Sequence, residues 1–565
     1  MAQLSATTFW QLATIGLLVL VGYYVYLGIY NLLFHPLAKY PGPKLAALSE
    51  AWFVKSSLSG HLPYIFTEVH KQYGDIVRIS PNELSFARPE AVKEIYYHPT
   101  KTKPGMPKSL SYARPDTPHL FSVRDIAEHQ KQKAAFTHAF SPRALKEQEP
   151  IVLQYTDAWI SMLARGGTGP HGIDIVKAWN WLTFDIIGDL TFGASFDCVK
   201  TATTHPWIDM LFDSLTFGIM YDMIRRIPIL KFGLPFVVPI KKLKQNRVEI
   251  REYTRQRVAA RCETGTKRDT EDFFSDILRK GQWTEEGLVS QAFMLIIAGS
   301  ETSASALSGV TFYLSHYPQA LKRLQDEVRG AFSSSDQIVG DSTTPAKLPF
   351  LHGCIEEALR LFPPAPSHAL RVSPGATVDG QYIPAGVCVT SQNYPMSRDS
   401  RYFNVPAEYH PERWLKGEDC PPDFRDDNKA ASNPFSIGPR SCIGINLAYL
   451  EMRIALAKFV WHFDWALLPE SKEWTKSMKT YFIWKKPPMM YMHPGLIATN
   501  HRVAGTGSPD GRMRASLLIL KSLLAGFSDT FSAASGRHEI FQKDPWGIDS
   551  LSETSFEIEW SIAGS

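Results

Sequence analysis

The pattern of apolar and polar positions along the chain predicts mostly helices, with a few short strands. Apolar runs mixed with helix-forming residues predict helices over residues 125–140, 284–316 and 351–361. Short segments with β-branched residues and turn residues predict small sheets at residues 77–86 and 372–389. The fold class expected from this pattern is mainly α with small β-sheets (α+β).

The longest predicted helix, residues 284–316, contains a chemically unusual segment. Thr284 is a suitable N-cap, and two glutamates follow it where the helix dipole favours negative charge. The helix includes the segment AGSET, in which Gly299 costs about 1 kcal/mol of helix stability relative to alanine. We expect the helix to open there, so that Glu301 and the hydroxyl of Thr302 deliver protons. A Gly-x-Glu-Thr segment is common by itself, so this assignment depends on other motifs.

Residues 10–34 form a long apolar stretch without a formally charged side chain. A transmembrane helix needs about 20 such residues. Lys39, Lys44 and Lys55 follow the stretch and no lysine or arginine precedes it, which predicts that the rest of the chain faces the cytosol. We interpret residues 1–34 as an uncleaved signal anchor. A cleaved signal peptide is the alternative, but no small-residue cleavage site follows.

Composition and charge narrow the function classes. The chain has 565 residues, of which 44% are hydrophobic and 21% are charged, and its net charge is only +4. A charge so close to neutral, without a long basic run, argues against nucleic-acid binding. The six cysteines are sparse and show no paired metal-site spacing, which suits a reducing compartment and argues against a disulfide framework.

One cysteine lies in a loop with specific chemistry. Residues 435–444 read FSIGPRSCIG, where glycine, proline and serine predict an irregular turn and the apolar run that follows predicts a helix. Cys442 is thereby placed at a helix N-terminus, which favours a thiolate. Gly438 and Gly444 allow a tight backbone and the close approach of a flat ligand. Arg440 is placed to bind an acidic group of that ligand. Considered alone, Cys442 has a buried, inert cysteine as its alternative interpretation.

The spacing FxxGxRxCxG resembles the cysteine-ligand loop of the cytochrome P450 family, the haem-thiolate monooxygenases. The resemblance implies haem b as the cofactor, with Cys442 as the axial ligand of its iron. It also implies catalytic roles for Gly299, Glu301 and Thr302, because AGSET matches a second family motif. The cofactor-binding positions that the resemblance implies, besides Cys442, are Phe435, Gly438, Arg440, Gly444, Arg371, His129 and Lys133.

The resemblance implies two sets of residues for which an alternative interpretation exists. The family commonly has an arginine at the position of Lys133, and a lysine keeps the charge without the bidentate geometry. A solvated basic helix face is therefore the alternative for His129 and Lys133. The family's ExxR motif matches Glu357 and Arg360, with Arg413 as the third partner, and implies a structural charge network. A solvated surface pair is the alternative there.

The resemblance covers roughly residues 35–495, which implies a P450 catalytic domain at 35–495 after the anchor at 1–34. Residues 496–565 form a Ser- and Gly-rich C-terminal extension that we expect to be largely disordered. The amino-acid sequences of several segments, for example residues 35–43 and 481–488, are similar to those of fungal family members that tailor secondary metabolites.

The activity implied is insertion of one oxygen atom from O₂ into an apolar small molecule such as a terpenoid or polyketide. Electrons are expected from NADPH-cytochrome P450 reductase, with cytochrome b5 as a further donor, at the endoplasmic reticulum membrane. Two alternatives stay open: a reductase-independent haem enzyme that rearranges peroxides, and a haem-binding protein without turnover. The pair of Glu301 and Thr302 argues against the first, which needs no proton delivery to O₂.

Overall fold

The computed structural model describes residues 6–493, except 98, 101–103, 114–117, 169–170, 238, 266–271 and 282. Across these residues the chain is mainly helical and carries small sheets, which confirms the predicted fold class. The predicted extension at 496–565 lies outside the described residues.

The helices account for most of the described chain. In chain order, the α-helices are α1 (Ala6–Ile29), α2 (Lys44–Leu48), α3 (Ala51–Leu58), α4 (Leu62–Tyr73), α5 (Pro89–Tyr96), α6 (Ile126–Thr137), α7 (Pro142–Gly166), α8 (Ile175–Phe192), α9 (Cys198–Thr201), α10 (Pro206–Arg226), α11 (Leu230–Val237), α12 (Ile240–Thr264), α13 (Phe273–Lys280), α14 (Glu285–His316), α15 (Pro318–Ala331), α16 (Pro349–Leu361), α17 (Asn393–Met396) and α18 (Ile445–His462).

The strands are short and form separate small sheets. In chain order they are β1 (Ile76–Ser80), β2 (Glu83–Phe86), β3 (Ile173–Asp174), β4 (Arg371–Val372), β5 (Ala376–Val378), β6 (Gln381–Ile383), β7 (Cys388–Ser391), β8 (Ala466–Leu467), β9 (Lys479–Tyr481), β10 (Ile483–Lys485) and β11 (Met490–Met492). The largest sheet has the order β1-β2-β7-β4, in which β2 and β7 are parallel and the other neighbours are antiparallel. The two segments predicted to pair at 77–86 are β1 and β2.

Helix α14 is the central element of the core. It begins after Thr284, whose side chain accepts a hydrogen bond from the Gly287 amide at 3.2 Å, as the sequence predicts. Helices α8, α12, α16 and α18 pack around it, and most of its residues are buried. It is long and apolar enough to cross a membrane, but 72% of its most apolar window is buried, which identifies it as a core helix.

The N-terminal apolar stretch is a helix of a different kind. Residues 10–34 form a candidate membrane span with a mean hydropathy of 2.0, and none of its most apolar window is buried. The helix continues from α1 into a π-helical turn at Tyr30–Phe34 and ends at His35, before Pro36. Apolar side chains exposed along a whole helix suit a lipid environment.

Candidate active site

The Cys442 loop is closed by its own backbone. The Cys442 amide donates to the Phe435 carbonyl at 2.9 Å, so the loop returns on itself before α18 begins at its N-cap, Gly444. Gly438 has φ +77°, and a Cβ there would stand 1.8 Å from the Tyr96 carbonyl oxygen. Only glycine satisfies both conditions, and the close contact locks the loop onto the end of α5.

The Cys442 thiol is accessible and deeply placed at the same time. Its residue has exposed surface, yet burial raises the pKa of the thiol, while the Gly444 amide and the charge of Lys133 oppose that rise. Ala298 is exposed in the same manner in the otherwise buried middle of α14. A side chain that is both accessible and deep borders an internal space, and an electropositive surrounding there favours the thiolate.

Five basic side chains gather beside this loop, and we call them the basic cluster: Lys108, His129, Lys133, Arg371 and Arg440. Burial and the four surrounding cations lower the pKa of His129 on α6 to about 3. Burial also lowers the pKa of Arg440, to about 10, with Arg371 acting in the same direction. His129 is therefore neutral near pH 7, and the charges that the other members carry are positive, so the cluster suits an anionic ligand. Lys108 was missed at the sequence level, because a lone lysine in a Pro- and Ser-rich loop carries no signal.

The members of the basic cluster differ in how their donors are used. Arg440 donates to the carbonyls of Val123 and Arg124 at 2.7 and 2.9 Å, and also to that of Asp125. Lys133 donates to the carbonyls of Pro439 and Ser441 at 2.8 and 3.4 Å, so it braces the cysteine loop itself. Both side chains are thus held by backbone carbonyls of the protein itself.

Within the basic cluster, Arg371 on β4 is the residue whose surroundings are best explained by a bound ligand. Its side chain is buried, and its Nη1 has no hydrogen-bond partner within the described part of the chain. A buried charged donor without a partner is costly. An anionic planar group with carboxylates at its edge and a metal that takes a thiolate would match both Arg371 and Cys442. The residues present therefore fit a haem.

The predicted proton-delivery residues lie on an unbroken helix. The Thr302 hydroxyl donates to the Ala298 carbonyl at 2.7 Å, and α14 runs continuously past it. The expected opening at Gly299 is thus not seen. Gly299 has a packing reason instead, because a Cβ there would stand 2.4 Å from Cδ1 of Ile187 on α8. Glu301 is buried and forms an ion pair with Lys486, a partner that the sequence did not reveal.

The ExxR network is fully buried, so the solvated-pair alternative is wrong. Arg360 donates to both carboxylate oxygens of Glu357 at 2.7 and 2.8 Å, and Arg413 Nε donates to Oε1 at 2.9 Å. Trp414 and Asp427, which the sequence did not assign, complete it by bonding Glu357 and Arg413 respectively. Burial opposes ionisation of Glu357, but the two arginines lower its pKa.

Strands β9 and β10 pair as an antiparallel hairpin, which we call the late β-hairpin, and its aromatic residues have two different roles. Phe482 is 52% exposed, has a left-handed backbone with φ +81°, and contacts the Phe121 ring edge-on at 5.4 Å. Trp484 is buried, donates to the Pro363 carbonyl at 2.7 Å and stacks on Phe362. Strained backbone is often held at functional positions, so Phe482 is the better candidate for substrate contact.

These features define a class of protein: a helical enzyme core with an accessible cysteine at a helix N-terminus, facing an anion site that fits a haem. The sequence model of the family described as "Cytochrome P450" matches residues 41–493. The chain belongs to the cytochrome P450 family. Its members carry a thiolate-ligated haem iron and use redox partners and small-molecule substrates.

Curated fungal proteins are similar over most of the chain. Cytochrome P450 monooxygenase BOA3 of Botryotinia fuckeliana is 40% identical over 483 residues, which cover 83% of this chain and 94% of that protein. Cytochrome P450 monooxygenase astJ of Aspergillus oryzae is 39% identical and covers 82% and 94%. Averantin hydroxylase of Dothistroma septosporum is 36% identical and covers 86% and 90%. The protein is therefore an oxidoreductase of the P450 monooxygenase type.

Proposed function

We propose that the protein is a haem b monooxygenase of fungal secondary metabolism, which hydroxylates an apolar terpenoid or polyketide, with epoxidation and desaturation as variants of the same chemistry. The names of its relatives, a hydroxylase among them, support this assignment. The observation that carries it is the accessible thiol of Cys442, at the N-terminus of α18 and beside the basic cluster.

Each part of the site has a task in this proposal. Cys442 would hold the haem iron, and the basic cluster, with Arg371 foremost, would hold the propionates. When bound, the haem supplies O₂ activation and oxygen transfer, while the protein sets its ligand and surroundings. The amide of Gly444 and Lys133 favour the thiolate, since both oppose the rise in the Cys442 pKa that burial causes.

The reaction also needs protons from the protein. One atom of O₂ enters the substrate, and the other becomes water, which takes up two electrons and two protons. Glu301 and Thr302 lie next to the exposed Ala298 of α14 and are the residues proposed to supply these protons. The Thr302 hydroxyl would leave the Ala298 carbonyl and turn to the reacting side when it acts.

The proposal extends to partners and location. Two electrons would come from NADPH through cytochrome P450 reductase, with cytochrome b5 as a further donor. The unburied apolar helix over residues 10–34 would hold the enzyme in the endoplasmic reticulum membrane, with the domain at 35–495 in the cytosol. Phe482 and Phe121 would contact the apolar substrate.

The test is the absorption spectrum of the reduced protein with carbon monoxide. Wild type should show the red-shifted Soret band of a thiolate-ligated haem, and Cys442→Ala should lose it completely together with NADPH-driven oxygen consumption. Cys262→Ala, which changes an exposed cysteine on α12, is the matched control and should keep both. A folded wild-type protein without the band, or a Cys442→Ala protein with it, would contradict the proposal.

A further inference from the structure

A buried ion pair joins the late β-hairpin to the centre of α14. Lys486 follows directly after β10, and its side chain is 2% exposed, while that of Glu301 is 4% exposed. The Lys486 ammonium contacts Oε1 of Glu301 and donates to the Ser305 hydroxyl at 2.8 Å. Oε2 of Glu301 is buried without a hydrogen-bond partner in the described residues. Within the described residues, Oε1 of Glu301 is therefore paired with an ammonium group, whereas Oε2 has no hydrogen-bond partner.

The backbone around Lys486 is held firmly. Trp484 donates to the Pro363 carbonyl, and Trp474 donates to the Pro487 carbonyl, each at 2.7 Å. Lys485 is exposed, so of two adjacent lysines one points to solvent and the other into the core. The inward direction of Lys486 is therefore a feature of the packed hairpin and does not depend on a mobile surface chain.

Lys486 is the charged partner of Glu301 in the described part of the chain. Burial raises the pKa of Glu301, and Lys486 opposes the rise most strongly, with help from Ser305. Two carboxylates on the helices packed against α14 have partners of their own: Asp185 of α8 accepts hydrogen bonds from backbone amides, and Glu357 of α16 belongs to the ExxR network. Glu451 of α18 faces Ser303 of α14, and burial raises its pKa to about 8; neither of its oxygens has a hydrogen-bond partner in the described residues.

We propose that Lys486 is a positioning residue of the proton path. It holds Oε1 of Glu301 and keeps the group a carboxylate, so that Oε2 is free to take a proton from water and pass it towards Thr302. In this step a protonated solvent water gives up a proton and is left as neutral water, while an O–H bond forms on Oε2. That bond breaks when Oγ1 of Thr302 takes the proton and releases its own hydroxyl proton towards the oxygen that becomes water. Lys486 and the electron count are unchanged. The inference rests on the proton-delivery role proposed for Glu301.

The first experiment measures the protonation of Glu301 directly. The carboxylic-acid C=O band is followed by infrared spectroscopy against pH in the haem-loaded protein, and its absence in Glu301→Gln assigns it. In Lys486→Met the midpoint should move up by about one pH unit or more, because the opposite charge is lost. Lys486→Arg should keep the wild-type midpoint, and so should Lys485→Met, which removes the exposed neighbouring charge.

The second experiment uses NADPH oxidation with a cytochrome P450 reductase. Only the carboxylate form of Glu301 can accept a proton, so the rate should fall as the pH falls through its pKa. Removing the Lys486 charge raises that pKa, and the acid limb should move up in pH by the same amount as the infrared midpoint. A structural role alone would lower the rate at every pH without this movement.

A double variant keeps the inference testable if Lys486→Met folds poorly. Lys486→Met with Glu301→Gln removes both buried charges, which such pairs tolerate better than the loss of one. Its pH profile should equal that of Glu301→Gln alone; an additional change would overturn the inference. An infrared midpoint unchanged by Lys486→Met, in a protein with a normal carbon monoxide band, would also overturn it. A missing band would instead refute the proposed haem site.

Discussion

The ExxR network and the basic cluster are both buried and charged, but they are satisfied in different ways. In the network, the Glu357 carboxylate meets two arginines, and Arg360 also donates to the carbonyls of Ser397 and Pro406 at 2.6 and 2.7 Å. In the cluster, basic side chains face one another, and Nη1 of Arg371 has no hydrogen-bond partner among the described residues. Charges that are matched within the protein hold the fold together, whereas unmatched charges of one sign mark a place for a ligand.

This comparison predicts its largest effect in the network. Arg360→Met would leave Glu357 buried without its main partner, and we expect a loss of about 3–5 kcal/mol in the free energy of unfolding. Urea unfolding of the purified protein, followed by circular dichroism, measures it. Arg143→Met is the control, because Arg143 is exposed on α7 and pairs with the half-exposed Glu147. A loss as small as that of the control would contradict a structural role for the network.

The basic cluster should behave in the opposite way. In haem-free protein, Arg371→Met removes a buried charge whose Nη1 has no hydrogen-bond partner in the described residues; methionine can still pack on the Tyr96 ring beneath it, so we expect no loss of stability. Haem should be retained less well, by about tenfold to a hundredfold, because a charge-assisted hydrogen bond is worth about 1.5–3 kcal/mol. Transfer of haem to apomyoglobin measures the release rate. The contrast between the two regions would be wrong if Arg371→Met destabilised the haem-free protein as much as Arg360→Met.

A smaller effect should appear in the pH dependence of the haem-free protein. His129 has a pKa lowered to about 3, by burial first and the neighbouring cations second, from an ordinary value of 6.5. The unfolded chain therefore binds a proton that the folded chain rejects, and stability falls as the pH falls from 6.5 towards 3. His129→Gln should flatten this fall, measured as the thermal midpoint at pH 7 and at pH 4. An equal slope in both proteins would show that the cluster does not act on His129.

Features that depend on residues close in sequence were predictable. The bounds of α14 follow from an N-cap at Thr284 and an apolar run, and the turn before Cys442 follows from glycine and proline. Local backbone preferences act over a few residues, so such patterns are visible in a single chain. The ExxR pair is visible for the same reason, since residues three apart share a helix face.

Only the tertiary structure decided which distant groups meet. Glu301 and Lys486 are 185 residues apart, and nothing in the local pattern of either residue predicts the pair. Gly299 was expected to weaken α14, but the approach of Ile187 from α8 explains the missing side chain.

The basic cluster shows the same division. Arg371 and Arg440 could be assigned one by one, but the gathering of five basic side chains at one place depends on how β4, α6 and two loops pack. The sequence by itself determined the local backbone conformation around the main site residues and their chemical type, because short-range sterics and hydrogen bonding act between residues that are close in the chain. The charge balance around those residues was decided by the fold, because burial and electrostatic interaction depend on distance in space.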